Sequence, residues 1–448
     1  MNSKRILIVG TGFQGICDAA HLVGVPGLKI HMVDAAPFFG GILNSVPFND
    51  FYIDKGLHFF SGVDAKMHEF LSEISSGGIH PIMSPPASGF GGDVVENFDL
   101  PDLSNLPVET RKQILSELLN FDDSPLPHPV NLSQHLHDRY GPTAGGIFEG
   151  IFKKIHTVDA NSITAREIQK TGLVRLKFDT DAEMLRLKSD PRLDDTLAAR
   201  RPMETAADSI SSFYPSGGKG MFGFAQDAQN WLSSRGVQIH LGKKIDTFSR
   251  SDTGWDVNIS GAIQEYDQIV WSNGTVHQLA KILGISAQDE DPFLPVPVVF
   301  AVFGVNAADV NLDSYIQIFD PVDVVFRVGA GGIFGNQTKG DGSTFITCEC
   351  PAATTSALWE GAQDSTDQIW RCLNKYDLVA LDVEPNWVKI LRVPRTLKLQ
   401  MAGSENSLAE LANRISAEHQ SIFFRASPPG FRRDIFAAST QLRGILQL

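Results

Sequence analysis

The chain has few cysteines: 448 residues contain only Cys17, Cys348, Cys350 and Cys372. So sparse a set excludes a disulfide-stapled secreted scaffold and favours a reducing compartment. Cys348 and Cys350 alternate in a run typical of a strand, where they share one face. No second pair completes a four-ligand set, so we expect strand packing and no metal site.

Positive charge is also scarce. Lysine and arginine total 38 against 52 aspartates and glutamates, which gives a formal net charge of −14. A chain this acidic lacks the basic face that non-specific nucleic-acid binding requires. Charge alone would not hold it on an anionic membrane. A local basic pocket for an anionic ligand stays open, because net charge averages over the whole surface.

Long hydrophobic runs are missing. The N-terminus, MNSKRILIVG, contains only a short apolar strand, whereas a secretory signal needs an apolar core of about 7–15 residues. No apolar run approaches the roughly 18 residues of a spanning helix. We therefore expect a cytoplasmic protein without a membrane span. Apolar residues make up 42% and charged residues 20%, as in ordinary globular proteins.

A nucleotide-binding pattern opens the chain. Residues 5–10, RILIVG, predict a buried parallel strand, and a helix and a second strand ending in Asp34 follow. Between the first strand and the helix lie Gly10, Gly12 and Gly15, spaced G-x-G-x-x-G. The three glycines allow a tight turn, close approach of a pyrophosphate and close packing of the helix. The helix N-terminus attracts phosphate, and Asp34 can accept hydrogen bonds from a ribose diol.

The next residues extend this motif. Gly40 and Gly41 follow Asp34 after five residues. This spacing resembles the FAD-dependent amine oxidase superfamily, which includes protoporphyrinogen oxidases, phytoene desaturases, monoamine oxidases and UDP-galactopyranose mutases. In that family the Gly-Gly lets the backbone approach the flavin side of the cofactor. The family's usual Glu is Asp34 here, and its frequent Arg after the Gly-Gly is Ile42. The resemblance implies FAD as the cofactor.

Three later segments carry the same resemblance. Residues 54–58, DKGLH, resemble a family segment that implies His58 near the isoalloxazine ring, beside the alternative of a local turn. The stretch from Tyr214 to Ile245 resembles one in which the backbone at the Ile245 position holds the adenine. The C-terminal order of elements is similar to that of UDP-galactopyranose mutases, and it implies Arg425 near the flavin.

Motif and resemblance together define a candidate site. They imply His58 and Arg425 as catalytic residues. The cofactor contacts they imply are Gly10, Gly12, Phe13, Gln14, Gly15, Asp34, Ala35, Gly40, Gly41, Ile42, His58, Lys244, Ile245, Ser272, Asn273, Gly274, Arg425, Ser439, Thr440 and Gln441.

The expected fold class is α/β, with a Rossmann-like FAD-binding domain and a second α+β substrate domain built from insertions. The FAD-binding domain is predicted to comprise residues 1–75, 205–290 and 395–448. The substrate domain is predicted to comprise residues 76–204 and 291–394.

The expected function is that of a FAD-dependent oxidoreductase that transfers hydride from a small organic substrate to flavin. A non-redox flavoenzyme similar to UDP-galactopyranose mutase, acting on a nucleotide sugar, is one alternative. The basic residues within 147–202 favour it, although such residues are more often a solvated face paired with carboxylates. A NAD(P)-linked or non-catalytic nucleotide-binding protein of the same fold is the other, because Asp34 replaces Glu. An anionic or nucleotide-linked substrate and a homodimer both remain open.

Overall fold

The computed structural model describes residues 3–82, 86–120, 130–200, 212–272, 274–286, 291–426 and 430–448. The strands are β1 (Lys4–Val9), β2 (Leu28–Asp34), β3 (Val46–Phe48), β4 (Phe51–Ile53), β5 (Ile79–Pro81), β6 (Ala87–Phe90), β7 (Asp93–Glu96), β8 (Phe213–Pro215), β9 (Gln238–Leu241), β10 (Ile245–Arg250), β11 (Trp255–Ile259), β12 (Ala262–Tyr266), β13 (Gln268–Trp271), β14 (Phe293–Asn306), β15 (Tyr315–Ile318), β16 (Arg327–Gly329), β17 (Ser343–Pro351), β18 (Trp387–Gln400) and β19 (Ile422–Phe424).

The α-helices are α1 (Phe13–Leu22), α2 (Ala65–Ile74), α3 (Val108–Leu119), α4 (Leu132–His156), α5 (Asp181–Leu187), α6 (Pro191–Asp194), α7 (Gly220–Ser234), α8 (Val276–Ile282), α9 (Gly331–Phe334), α10 (Ala357–Glu360), α11 (Thr366–Lys375), α12 (Glu405–Glu418), α13 (Arg432–Ser439) and α14 (Leu442–Ile445). Among the residues that the structure describes, no helix is long and apolar enough to cross a membrane.

The chain divides into two compact units. Unit 1 comprises the described parts of residues 1–81, 211–292 and 405–448, and unit 2 those of 82–210 and 293–404. The predicted start of the last FAD-domain segment, residue 395, falls inside β18. Because β18 pairs with β14 along its length, residues 395–400 are part of the sheet of unit 2.

A parallel five-stranded sheet forms the centre of unit 1, with the strand order β19-β13-β1-β2-β9. All four pairings are parallel. β1 lies in the middle, and the side chains of Ile6, Leu7 and Ile8 are fully buried. A continuous apolar run is expected for such a strand, because helices cover both faces of a parallel sheet. The carboxyl ends of β1, β2 and β13 therefore meet at one edge, where nucleotides bind in doubly wound folds.

Unit 1 also contains the antiparallel sheet β10-β11-β12. Trp255 on β11 is 1% exposed and anchors a core that includes Ile245, Phe248 and Trp271. This core joins the small sheet to β1 and β13, so the start of β10 is held beside the parallel sheet.

Unit 2 contains a mixed seven-stranded sheet, β18-β14-β17-β16-β15-β6-β7, and the helices α3 to α6, α9, α10 and α11. The long strand β14 is buried over most of its length. Cys348 and Cys350 on β17 are both fully buried in one core cluster with Phe303 and Leu373. The expected α/β fold, with a Rossmann-like unit and a second α+β unit, is confirmed.

A turn separates two consecutive helices of unit 2. α10 ends at Glu360 and α11 begins at Thr366. Gly361 follows α10 directly. The Ser365 hydroxyl donates to the Gly361 carbonyl oxygen at 3.1 Å. The intervening turn competes with the helical backbone for hydrogen bonds, which is why the two helices are separate.

Candidate nucleotide-binding site

The glycine loop lies at the carboxyl end of β1. Gly10 has φ = +108°, a conformation that a side chain would strain. The N–H of Gly10 donates to the carbonyl oxygen of Val33 on β2 at 2.8 Å. Gly12 precedes α1 with ordinary extended geometry and has no side chain to cap the helix. The first N–H groups of α1 are therefore available to an anionic ligand.

Gly12 and Gly15 are glycines for different reasons. A Cβ atom on Gly15 would lie 2.1 Å from the Gly10 carbonyl oxygen, so α1 packs on the loop only without a side chain there. A Cβ atom on Gly12 would meet no protein atom within 4 Å. Neither packing nor backbone conformation requires glycine at position 12. The space beside Gly12 is where a pyrophosphate would approach the backbone.

The Gly40-Gly41 pair packs on this loop. Gly40 donates its N–H to the Thr11 carbonyl oxygen at 3.1 Å. A Cβ atom on Gly41 would lie 3.4 Å from the Gly12 Cα, and one on Gly40 would lie 2.6 Å from the Ala225 Cβ on α7. Both glycines have positive φ. The two glycine segments of the sequence motif thus form one continuous backbone surface.

Asp34 lies where the motif predicts it, at the end of β2. Its Oδ2 atom accepts hydrogen bonds from the N–H and hydroxyl of Thr11 at 2.9 and 2.8 Å. Its Oδ1 atom accepts the N–H of Ala36 at 2.9 Å. The backbone carbonyl of Asp34 accepts the N–H of Lys243 at 2.9 Å. The carboxylate therefore has a fixed orientation beside the glycine loop. Ala35 is exposed at this edge.

The predicted adenine contacts lie at the start of β10. Lys244 has its backbone N–H bonded to the Ser260 hydroxyl at 3.1 Å, and its carbonyl oxygen to the Ser260 N–H at 2.9 Å. Ile245 buries its side chain in the core beside Val9. β10 is an edge strand of its sheet. Ile245 pairs with Ile259 on β11, and its contact with adenine stays a prediction.

Several other predicted contacts differ in how far they are exposed. Phe13 is buried, with its ring 5.6 Å from that of Phe60 and 6.4 Å from that of Phe224, so only its backbone can face a ligand. Gln14 is half-buried and Ile42 is 38% exposed. Gly274 has φ = +87°. Asn273 lies outside the described residues.

Arg425 and Ser439 gather around a residue that sequence reasoning missed. Asp18 on α1 is fully buried, and Arg425 donates to its two carboxylate oxygens at 2.7 and 2.9 Å. The hydroxyls of Ser439 and Ser272 donate to Asp18 at 2.7 and 2.6 Å. The catalytic role of Arg425 stays a prediction. In the structure its guanidinium forms two hydrogen bonds with this buried carboxylate. An acidic residue within the apolar sequence of α1 was the available signal.

The two residues after Ser439 lie at the end of α13. Thr440 is exposed, and its hydroxyl donates to the Ala437 carbonyl oxygen at 2.6 Å. Gln441 directly precedes α14. The three residues 439–441 therefore occupy the junction between α13 and α14.

His58 contacts a second unforeseen residue, Arg432 at the start of α13. One terminal nitrogen of Arg432 lies 3.1 Å from His58 Nδ1, and the other donates to the Phe59 carbonyl oxygen at 2.5 Å. Because guanidinium only donates, Nδ1 must be the acceptor, and a neutral His58 ring then carries its proton on Nε2. Burial lowers the pKa of Arg432 to about 10.

Asp54 completes this region of unit 1. Its carboxylate accepts the Tyr214 hydroxyl at 2.5 Å, the Met221 N–H at 3.1 Å and the Ser45 hydroxyl. Burial raises the pKa of Asp54 to about 6, against the opposing effects of these hydrogen bonds and of the Arg432 charge. A Cβ atom on Gly220 would lie 2.8 Å from Asp54 Oδ1. Asp54 therefore ties β4, β8 and the start of α7 together.

In a comparison with protein families, residues 8–74 match the family of NAD(P)-binding Rossmann-like domains. This segment contains most of the glycine loop, Asp34, the Gly-Gly pair and His58. A comparison with curated protein sequences finds no match.

Solved structures share the fold over the whole chain. A reduced UDP-galactopyranose mutase superimposes with a TM-score of 0.75 at 16% identity, covering 100% of this chain and 94% of that one. A candidate protoporphyrinogen oxidase from Exiguobacterium gives 0.67 at 16% identity, covering 100% and 99%. A putrescine oxidase with bound putrescine gives 0.62 at 14% identity, covering 99% of each chain. This chain therefore shares the fold of these three solved structures, and identities this low establish the fold alone.

Proposed function

We propose that the protein is a FAD-dependent oxidoreductase that takes hydride from a small organic substrate. The observation that carries the proposal is the space beside Gly12. A side chain there would meet no protein atom, yet the Gly41 backbone approaches Gly12 from one side and α1 begins directly after it. Packing within the protein therefore does not explain why residue 12 has no side chain. A close contact between its backbone and a pyrophosphate would require a glycine there.

The residues at this edge fit an adenine dinucleotide. The first N–H groups of α1 would bind the pyrophosphate, and the carboxylate of Asp34 would accept from the adenosine ribose. The backbone of Ile245 would hold the adenine, and the Gly40-Gly41 segment would lie against the flavin half. When bound, FAD supplies the hydride acceptor that the side chains of the protein lack.

The side chains of this region would orient and polarise rather than react. Arg432 holds the His58 ring through the contact with Nδ1. We propose that the ring held in this way lies near the isoalloxazine ring of the flavin. Asp54 bonds Tyr214 and Met221 and serves to anchor the segments around His58.

A non-redox function similar to that of UDP-galactopyranose mutase is the second candidate. Its support is the fold likeness to the mutase and the order β19-α13-α14 at the C-terminus. The basic stretch 147–202 supports it less, because several of the cations that the structure describes there are paired with carboxylates. Arg186 bonds Glu183 at 2.6 Å and Lys188 bonds Asp194 at 2.6 Å.

A NAD(P)-linked protein is the third candidate. The family that matches residues 8–74 is described as NAD(P)-binding. In addition, Asp34 has a shorter side chain than the Glu that the resemblance leads one to expect. Its Oδ2 atom accepts two hydrogen bonds from Thr11.

The deciding experiment is a visible absorption spectrum of the purified protein, followed by mass identification of the nucleotide that heat releases. Flavin bands with released FAD support the first two candidates. Anaerobic bleaching by a small amine or alcohol then supports the oxidoreductase. Turnover of UDP-galactopyranose only after chemical reduction of the protein supports the mutase. Released NAD(P), without flavin bands, overturns the proposal in favour of the third candidate.

A further inference from the structure

Thr11 connects all three parts of the nucleotide motif. It is fully buried between Gly10 and Gly12. Its N–H and hydroxyl both donate to Asp34 Oδ2, at 2.9 and 2.8 Å. Its carbonyl oxygen accepts the N–H of Gly40 at 3.1 Å. One side chain and its backbone therefore bridge the glycine loop, the acid at the end of β2 and the Gly-Gly segment.

These bonds use most of the accepting capacity of Asp34. A carboxylate offers about four lone-pair positions, two on each oxygen. Both positions on Oδ2 face donors of Thr11, and one position on Oδ1 faces the N–H of Ala36 at 2.9 Å. Counting donors from the described residues alone, the single position that remains is on Oδ1. A carboxylate without these partners could accept both hydroxyls of a ribose diol.

We propose that Thr11 is a specificity-determining residue, which occupies Oδ2 of Asp34 and thereby limits the carboxylate to one ribose hydroxyl, taken by Oδ1. The inference deepens the proposed function and rests on the nucleotide site described there. It holds for any adenine dinucleotide at that site, whether flavin or nicotinamide.

The geometry leaves Asp34 little freedom to avoid this limit. Three donors hold its two oxygens, and hydrogen bonds to an ionised group are stronger than those between neutral groups. Two of the three donors are backbone N–H groups, in the tight turns at residues 10–12 and 34–36. The Thr11 hydroxyl is thus the only one of the three that a side-chain substitution removes.

The test uses the full-length protein, freed of bound nucleotide by dialysis, with ADP, 2′-deoxy-ADP and 3′-deoxy-ADP as probes. Calorimetry measures the dissociation constant of each. The variants are Thr11→Val, which removes the hydroxyl at nearly constant volume, and Thr11→Ser, which keeps it. The deoxy analogues delete one ribose hydroxyl at a time.

We expect the wild type to bind one deoxy analogue about tenfold more weakly than ADP and the other within about twofold of ADP. Thr11→Val frees a position on Oδ2, so both analogues should then bind at least about threefold more weakly than ADP. Thr11→Ser should keep the wild-type pattern. Equal effects of the two deletions in the wild type, large or small, overturn the proposal, as does a wild-type pattern in Thr11→Val. The wild-type pattern alone remains a test if Thr11→Val folds poorly.

Failure of the inference can be told from failure of the proposed function. Released FAD together with equal effects of the two deletions overturns only the role of Thr11. The expected ADP pattern in a protein that releases no FAD overturns only the flavin assignment. A protein that binds neither FAD nor ADP overturns both.

Discussion

Asp18 and Arg425 form a bidentate ion pair in the interior of unit 1, although 407 residues separate them along the chain. The side chain of Asp18 is fully buried and that of Arg425 is 8% exposed. The pair fastens β19 to the first turns of α1, the helix that presents the glycine loop. Arg425, which the resemblance implies near the flavin, thus forms a buried ion pair with Asp18 on α1.

Replacing Arg425 by methionine should strongly destabilise the protein. The change leaves Asp18 buried with only serine donors, and breaking such a pair from one side costs about 3–5 kcal/mol. Urea unfolding measures the loss. The matched control is Arg414→Met, because Arg414 pairs with Glu418 on the surface, where both are 49% exposed, and such pairs contribute roughly 0–1 kcal/mol. An Arg425 variant that unfolds like the wild type would remove the structural role and favour the predicted action on the cofactor.

Gly15→Ala should prevent stable folding of unit 1. The added Cβ would lie 2.1 Å from the Gly10 carbonyl oxygen, and backbone atoms in a tight turn cannot yield by that distance. Circular dichroism melting checks this. Gly146→Ala is the control, because Gly146 lies within α4 and its Cβ would meet no atom within 4 Å. That change should be neutral or stabilise by up to about 1 kcal/mol. Equal melting temperatures for the two variants would contradict the packing argument.

His156 should make the protein less stable in acid. It is 3% exposed at the end of α4, and burial lowers its pKa to about 3. In the unfolded chain a histidine titrates near pH 6.5, as a rough reference. The unfolded state therefore binds the extra proton first, and the contribution to stability falls as pH drops below about 6.5. Replacing His156 by phenylalanine should flatten the pH dependence of unfolding between about pH 3 and 6.5. An unchanged pH dependence in the phenylalanine variant would contradict the effect of burial on His156.

Asp54 should act in the opposite direction. Burial raises its pKa to about 6, whereas an unfolded aspartate titrates near pH 4. The folded state therefore holds the proton longer, and the contribution of Asp54 to stability is lost as pH rises from about 4 to 6. Relative to Asp54→Asn, the wild type should lose stability across this interval in urea unfolding at stepped pH. A difference that stays constant with pH would contradict a pKa raised by folding.

Local sequence was enough for the first part of the site. The turn at Gly10, the bare backbone at Gly12 and the contact at Gly15 depend on residues within one βαβ unit. The spacing in the sequence therefore specified their geometry. Asp34 was found for the same reason, since a strand end places it beside the loop.

Distant partners decided what the sequence missed. Arg432 and Arg433 are adjacent and chemically alike, yet only Arg432 turns inward, because the Phe59 carbonyl oxygen and His58 accept its donors. Asp54 was visible as part of a motif, but its anchoring role depends on Tyr214, 160 residues later. Arg425 was named from the resemblance to a family, but its partner in the structure is Asp18 on α1. The sequence motif gave no role to Asp18. No local periodicity encodes such pairings.

The most direct test of the central claim is the FAD content of Gly12→Ala, measured by visible absorption per chain. Gly146→Ala serves as the matched glycine control. Because a Cβ on Gly12 meets no protein atom, the variant freed of FAD should melt like the wild type freed of FAD. The methyl group would occupy the space of the pyrophosphate, so FAD occupancy should fall to about a tenth or less of that in the wild type and in Gly146→Ala. A Gly12→Ala protein that keeps wild-type FAD occupancy would contradict the placement of the nucleotide.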